Sequence, residues 1–124
     1  MKTRIEKLKQ KIQGLKLDSI LISNHSNIRY LSGFTGSNGL VYIAKDKQVL
    51  ITDFRYMEQA AMQCPEFEIV NQGAKGLIGT AMEIATSHQD KHIGFESDHT
   101  NYSTYLSLEA HHAFEFVPTK EIVE

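Results

Sequence analysis

Residues 40–52 read Leu40-Val41-Tyr42-Ile43-Ala44-Lys45-Asp46-Lys47-Gln48-Val49-Leu50-Ile51-Thr52. Two β-prone apolar runs, 40–44 and 48–52, flank the polar break Lys45-Asp46-Lys47, a pattern that predicts an antiparallel hairpin. Upstream, Leu17-Asp18-Ser19-Ile20-Leu21-Ile22 reads as a buried strand, bounded by Ser23-Asn24-His25-Ser26. Ahead of it Ile5, Leu8, Ile12 and Leu15 recur at helical spacing. They predict an amphipathic helix that ends at Gly14, a residue able to take the left-handed C-cap conformation. Residues 27–31 suit a short helix. Downstream of the hairpin, helix and strand alternate. A helix over 54–63 is capped by Asp53 and stopped by Pro65. A strand at 67–70 leads to the turn Asn71-Gln72-Gly73 and a helix over 77–87. A strand at 92–96 precedes a helix that Thr100 caps and that runs to about 111, and a last strand at 114–117 stops before Pro118. This order implies an α/β fold, a mixed β-sheet flanked by helices, in one domain spanning residues 1–124.

The chain has 124 residues, 41% of them hydrophobic and 23% charged, with only 2 prolines. Such a composition excludes a disordered tail and a collagen-like repeat, and one cysteine, Cys64, excludes a disulfide scaffold. That lone thiol fits a reducing cytosol. Thirteen Lys+Arg against fifteen Asp+Glu give a net charge of −2, so no excess of positive charge is available to hold a nucleic-acid backbone. The basic opening is followed by amphipathic spacing rather than by an apolar core, which argues against a signal peptide, and no run is long enough to span a bilayer. The expected setting is cytoplasmic, with neither membrane nor nucleic acid as partner. The Asn-x-Ser triplets at Asn24 and Asn101 read as chance occurrences.

Two segments invite chemistry. Tyr30-Leu31-Ser32-Gly33-Phe34-Thr35-Gly36-Ser37-Asn38-Gly39 carries three glycines at spacing three, which free the backbone for positive φ. A β-prone run rather than a helix follows, and the loop holds no lysine, so it lacks the parts of a phosphate-binding loop. It reads as a turn feeding the hairpin, or as a loop that presents Phe34, Ser37 and Asn38 outward. In Thr52-Asp53-Phe54-Arg55-Tyr56, Asp53 is the structural cap, while Arg55 sits in a first helical turn where the macrodipole disfavours a cation. Arg55 should therefore pair with a carboxylate or serve an external anion. The six histidines show no zinc spacing. Asp18, Asp53, Glu96 and Asp98 lie near strand ends and could converge on two metals as in a nuclease, though nothing in their spacing demands it. A free-standing module that binds a small anion through Arg55 and the loop N–H groups is a further alternative.

The string from Asn27 through Gly39, then Thr52-Asp53-Phe54-Arg55-Tyr56 with Gln59-Ala60-Ala61, resembles the N-terminal domain of the creatinase/prolidase/aminopeptidase P family. His92-Ile93-Gly94-Phe95-Glu96, residues 102–108 and the terminal Val117-Pro118 with Ile122-Val123-Glu124 extend the likeness over essentially the whole chain. The motifs point to the Xaa-Pro dipeptidase or aminopeptidase branch. The resemblance implies a ribonuclease-H-like sheet and a C-terminal "pita-bread" domain outside residues 1–124. That domain would hold two divalent metal ions (manganese, cobalt or zinc) on Asp, Asp, His, Glu and Glu. It implies a noncatalytic role for this chain, inactive alone, contributing to a homodimer and covering the cleft for a proline-containing peptide. No metal ligand and no catalytic residue is implied here; Arg55, Phe34, Ser37 and Asn38 are the implied substrate contacts. Residues 120–124, which carry no cap or stop, are expected to begin an element that continues toward the C-terminal domain.

Overall fold

The computed structural model describes residues 3–123. Its elements run α1 (Arg4–Gly14), β1 (Ser19–Ile22), α2 (His25–Ser32), β2 (Gly39–Ala44), β3 (Lys47–Thr52), α3 (Met57–Gln63), β4 (Glu68–Asn71), α4 (Gly76–Ser87), β5 (His92–Glu96), α5 (Tyr102–Glu109) and β6 (Glu115–Thr119), with 3₁₀ turns at Phe54–Tyr56, Gly73–Lys75 and Ser97–His99. The six strands form one sheet in the order β4-β3-β2-β1-β5-β6. The expected hairpin lies within it, with Gly39 opposite Thr52 and Ala44 opposite Lys47. β1 pairs antiparallel with β2 and parallel with β5, while β3–β4 and β5–β6 are parallel. Only β2 runs against the rest, so its start meets the carboxyl ends of the other five at one edge of the sheet.

Strand alternation sorts the core into two layers. Ile20, Ile22, Val41, Ile43 and Leu50 face α1, α2 and α3. Leu21, Tyr42, Val49, Ile51 and Ile93 face α4 and α5. The mixed sheet flanked by helices is thus the architecture observed.

Several boundaries depart from the sequence reading for identifiable reasons. Gly14 stays helical, and the left-handed residue is Lys16, with φ 60°. The Lys16 N–H donates to Gln13 O at 3.0 Å and the Leu17 N–H to Ile12 O at 2.9 Å, which brings Leu17 back onto Ile12 in the core. The chain reverses where an apolar residue can return, not where the glycine is. The end of α4 repeats the device with Gln89 at φ 63°. Because a side chain disfavours that conformation, Lys16→Gly should raise unfolding free energy by about 0.5–1 kcal/mol, read from the urea midpoint at constant m-value.

Asn101, not Thr100, caps α5, accepting the Thr104 N–H at 2.8 Å, while the Thr100 hydroxyl donates to Glu96 O at 2.8 Å. Asn24 caps α2 in the same way, accepting the Asn27 N–H at 3.0 Å. Both Asn-x-Ser triplets are therefore helix starts. The single helix expected over 54–63 divides into a 3₁₀ turn and α3, since Tyr56 N–H closes an i→i+3 bond on Asp53 O at 3.0 Å. β6 runs through Pro118, which a strand at the sheet border tolerates. The Glu115 N–H points inward to Lys91 O. By strand alternation position 118 is one whose N–H would face outward, so the proline breaks no ladder bond. Residues 120–123 make a bend and turn with Ile122 buried in the core layer of α1. Met1, Lys2 and Glu124, the last being the end of the terminal motif, lie outside the described residues. No helix among the described residues is long and apolar enough to cross a membrane.

Candidate functional site

Asp53 leaves β3 at the edge where five strands end. Its Oδ1 accepts the Arg55 backbone N–H at 3.0 Å and the Arg55 Nε at 2.9 Å; its Oδ2 accepts Arg55 Nη2 at 2.8 Å and Asn38 Nδ2 at 2.8 Å. One carboxylate thus fixes a turn, a guanidinium and the loop before β2. The carboxylate is nearly buried and the guanidinium is not, their side chains being 9% and 58% exposed. The Arg55 hydrogen bonds, aided by Asn38, hold the Asp53 carboxyl well below the usual carboxylate range, and the ion pair raises Arg55 in return. Asp53 grips one edge of the planar fork. Nη1 has no hydrogen-bond partner among the described residues, so the Nη1 end stays open to a carboxylate or carbonyl from outside.

The 33–39 loop beside this pair is a stapled platform. Gly33 closes α2 in the left-handed region at φ 87°. Phe34 then turns inward and is 2% exposed. Its ring meets Tyr56 edge-to-face, with centroids 5.9 Å apart. A Cβ on Gly36 would stand 2.3 Å from Phe34 Cζ, so this glycine is needed for closeness to the ring, not for positive φ. Of the three glycines in the loop only Gly33 takes positive φ. Thr35 is tied to α3: its N–H donates to Gln63 Oε1 at 3.0 Å, and its hydroxyl accepts from Gln59 Nε2 at 3.0 Å and Gln63 Nε2 at 2.9 Å. The Ser37 hydroxyl and the Tyr56 phenol share a hydrogen bond of 2.6 Å, and Ser37 holds that phenol below its ordinary pKa. Asn38, Asp53 and Arg55 line one open cleft of about 620 Å³ with Asn71 and Gln72 from the end of β4.

Of the expected contacts, the structure gathers Arg55 and Asn38 on one cleft and sets Ser37 beside them on the loop. Phe34 lies underneath, so it presents no ring surface to an outside molecule. Sequence reading gave no role to Tyr56, Gln59, Gln63 or Gln72; Tyr56 and Gln59 stood within the motifs that carry the family resemblance, and Gln63 and Gln72 had no site signal. The loop N–H groups offered to an anion are in part spent, since Phe34 N–H donates to Ser32 Oγ and Thr35 N–H to Gln63.

The four strand-end acids do not converge as one metal-binding group. Asp18 accepts the Lys91 and His92 N–H groups, and Glu96 accepts Ser23 N–H, Asn24 N–H and Asn27 Nδ2. Among the described residues no group of three or more His, Cys, Asp or Glu could hold a metal ion.

Residues 4–124 match the creatinase/prolidase N-terminal domain. The chain is 43% identical over 122 residues to the uncharacterized peptidase YqhT of Bacillus subtilis (strain 168), covering 98% of this chain and 34% of that protein. Among solved structures, an Xaa-Pro dipeptidase from Bacillus anthracis superposes with a TM-score of 0.91 at 37% identity, covering 98% of this chain and 34% of that one. The N-terminal domain of the cytoplasmic peptidase PepQ from Mycobacterium tuberculosis H37Rv superposes with a TM-score of 0.88 at 35% identity, covering 97% and 95%. The chain therefore spans about one third of the length of the curated relative.

Proposed function

Because this chain belongs to the creatinase/prolidase N-terminal domain family, we propose that it is the noncatalytic domain of an Xaa-Pro metallopeptidase and forms one wall of the substrate cleft. The observation that carries this reading is the Arg55 guanidinium, held on one edge by Asp53 and open on the other. A proline-containing peptide is small and zwitterionic, and its chemistry profits from a cation fixed before the substrate arrives. Arg55 orients the peptide through its open edge, and Ser37 and Asn38 contact it from the platform. Phe34 holds that platform up from below. The platform keeps water from one side of the bound peptide. In this reading the bond-breaking chemistry, a water activated by two divalent ions, belongs to a C-terminal domain outside the chain. The residues described offer no metal set, and no step is assigned to them. That C-terminal domain, and a second copy in a cytoplasmic homodimer, are the partners.

The alternative, a free-standing anion receptor, is disfavoured by the internal use of the Phe34 and Thr35 N–H groups. In the full-length enzyme, Arg55→Ala should lower kcat/KM for an Xaa-Pro dipeptide about tenfold or more, a loss of about 1.4 kcal/mol of transition-state stabilisation. Unchanged kinetics would remove Arg55 from the cleft. Residues 1–124 alone should give no heat with phosphate, acetate or Xaa-Pro dipeptides in calorimetry and no turnover of peptide. Tight binding by the fragment would favour the receptor, and turnover would overturn both readings.

A further inference from the structure

The edge of the sheet opposite the cleft holds a polar network that the proposed function does not use. Asp90, just before β5, is buried, its side chain 1% exposed. Its Oδ2 accepts the Tyr42 hydroxyl at 2.5 Å and the Ser19 hydroxyl at 2.8 Å. Its Oδ1 stands 2.6 Å from His88 Nδ1 at the end of α4. The other ring nitrogen, His88 Nε2, stands 2.7 Å from Asp46 Oδ1 in the β2–β3 turn. Both nitrogens of one imidazole therefore face carboxylate oxygens.

An ionised carboxylate only accepts, and a neutral imidazole carries one N–H. Both contacts can be hydrogen bonds at once only when the ring is protonated. We propose that His88 is a proton-operated clasp: as an imidazolium it ties the β2–β3 turn to the end of α4 through Asp46, and on losing a proton it releases Asp46 and keeps Asp90.

The order of release follows from burial. Asp90 cannot turn to water, and its neighbours supply donors that hold it in place. Asp46 is 75% exposed and hydrates readily once the N–H is gone. Tyr42 on β2 presents its ring to the imidazole, with centroids 6.4 Å apart. Asp18, ahead of β1, feels the positive charge of the ring, and Lys47 beside the turn offsets Asp46. The two carboxylates, Asp90 first and Asp46 second, raise the His88 pKa above its ordinary value. The sign follows. A histidine whose folded pKa is raised contributes fully below its unfolded value, about 6.5, and its contribution is lost as pH rises through the folded value. The clasp therefore opens on the alkaline side of about 6.5, within the range a cytoplasm or a culture can reach. What it frees is the turn of the hairpin, whose far ends bear Asn38 before the first strand and Asp53 after the second.

The test is nuclear magnetic resonance on the 124-residue chain. Imidazole nitrogen shifts give the His88 protonation state, and amide exchange at residues 45–47, corrected for intrinsic base catalysis, gives closure of the turn. Both ring nitrogens should carry protons below about pH 6.5. Protection of the turn should fall about twofold to fivefold in step with the His88 titration, the size expected for an exposed ion pair. Asp46→Ala lies in an exposed turn with no left-handed residue and should fold. It should abolish the pH step in turn protection and move the His88 titration downward. His88→Gln should abolish the step as well. A ring that titrates below 6.5, turn protection that stays flat through the titration, or a step that survives in Asp46→Ala would each overturn the clasp.

Discussion

Phe34→Ala should cost about 3–5 kcal/mol of unfolding free energy, read from urea titrations of the variant and the parent. The ring is 2% exposed and sits in the core layer shared with α2, β2 and α3. Truncation leaves a hole that its surroundings fill only in part, because the loop above it is held by Gln59, Gln63 and Tyr56. Gly36→Ala attacks the same contact from the other side. Its Cβ would come 2.3 Å from Phe34 Cζ and 2.9 Å from Cε1 and Cε2. Overpacking of this kind should cost about 1–3 kcal/mol. Combined, the two substitutions should cost less than their sum, since the methyl intrudes on space that the alanine at 34 has vacated. Strict additivity would mean that the loop does not rest on the ring. If the platform serves the cleft, Phe34→Ala should also raise KM in the full-length enzyme at temperatures where the fold survives.

Asp90→Ala should cost about 3 kcal/mol at pH 6. The Tyr42 hydroxyl and the Ser19 hydroxyl both lie at 0% exposed residues and donate to this one carboxylate. Removing the acceptor leaves them desolvated without a partner. The same environment now keeps the Tyr42 phenol protonated: burial, then the Asp90 hydrogen bond, push its pKa up far beyond the ordinary tyrosine range. Tyr42→Phe in the Asp90→Ala background should recover part of the loss, because it deletes an orphaned donor along with its vanished acceptor. A loss below about 1 kcal/mol would show that water enters and satisfies the network.

Much of this fold was legible because it rests on repeating apolar spacing. The hairpin at 40–52 showed two apolar β-prone runs about a polar break, the strand at 92–96 was a further short β-prone run, and the observed strands agree with both. Turn chemistry was read less well. Gly14 looked like the C-cap, yet the position of Leu17 against Ile12 decided where the chain turned. Thr100 and Asn101 are adjacent capping residues, and nothing local says which side chain will face the helix. At the site, Asp53 and Arg55 were visible as a charge set against a helix start. The inward turn of Phe34 was not, because a phenylalanine between glycines looks like a displayed side chain until the packing beneath it is known. Gln59 stood in the quoted motif without a role, and Gln63 had no signal, since a glutamine on a helix is usually solvated.

Pro118 has a consequence for how this sheet meets other chains. β6 is one border of the sheet, and in a five-residue strand the proline removes one of the two positions whose N–H would point outward, leaving Phe116 alone. A β-strand arriving from a neighbouring molecule would find an interrupted row of donors there and gain little by docking. The border at β4, with Glu68 and Asn71 exposed at its ends, is guarded by polar side chains instead. Protection against edge-to-edge strand pairing is thus built covalently on one side and by polar side chains on the other, where acid can neutralise Glu68.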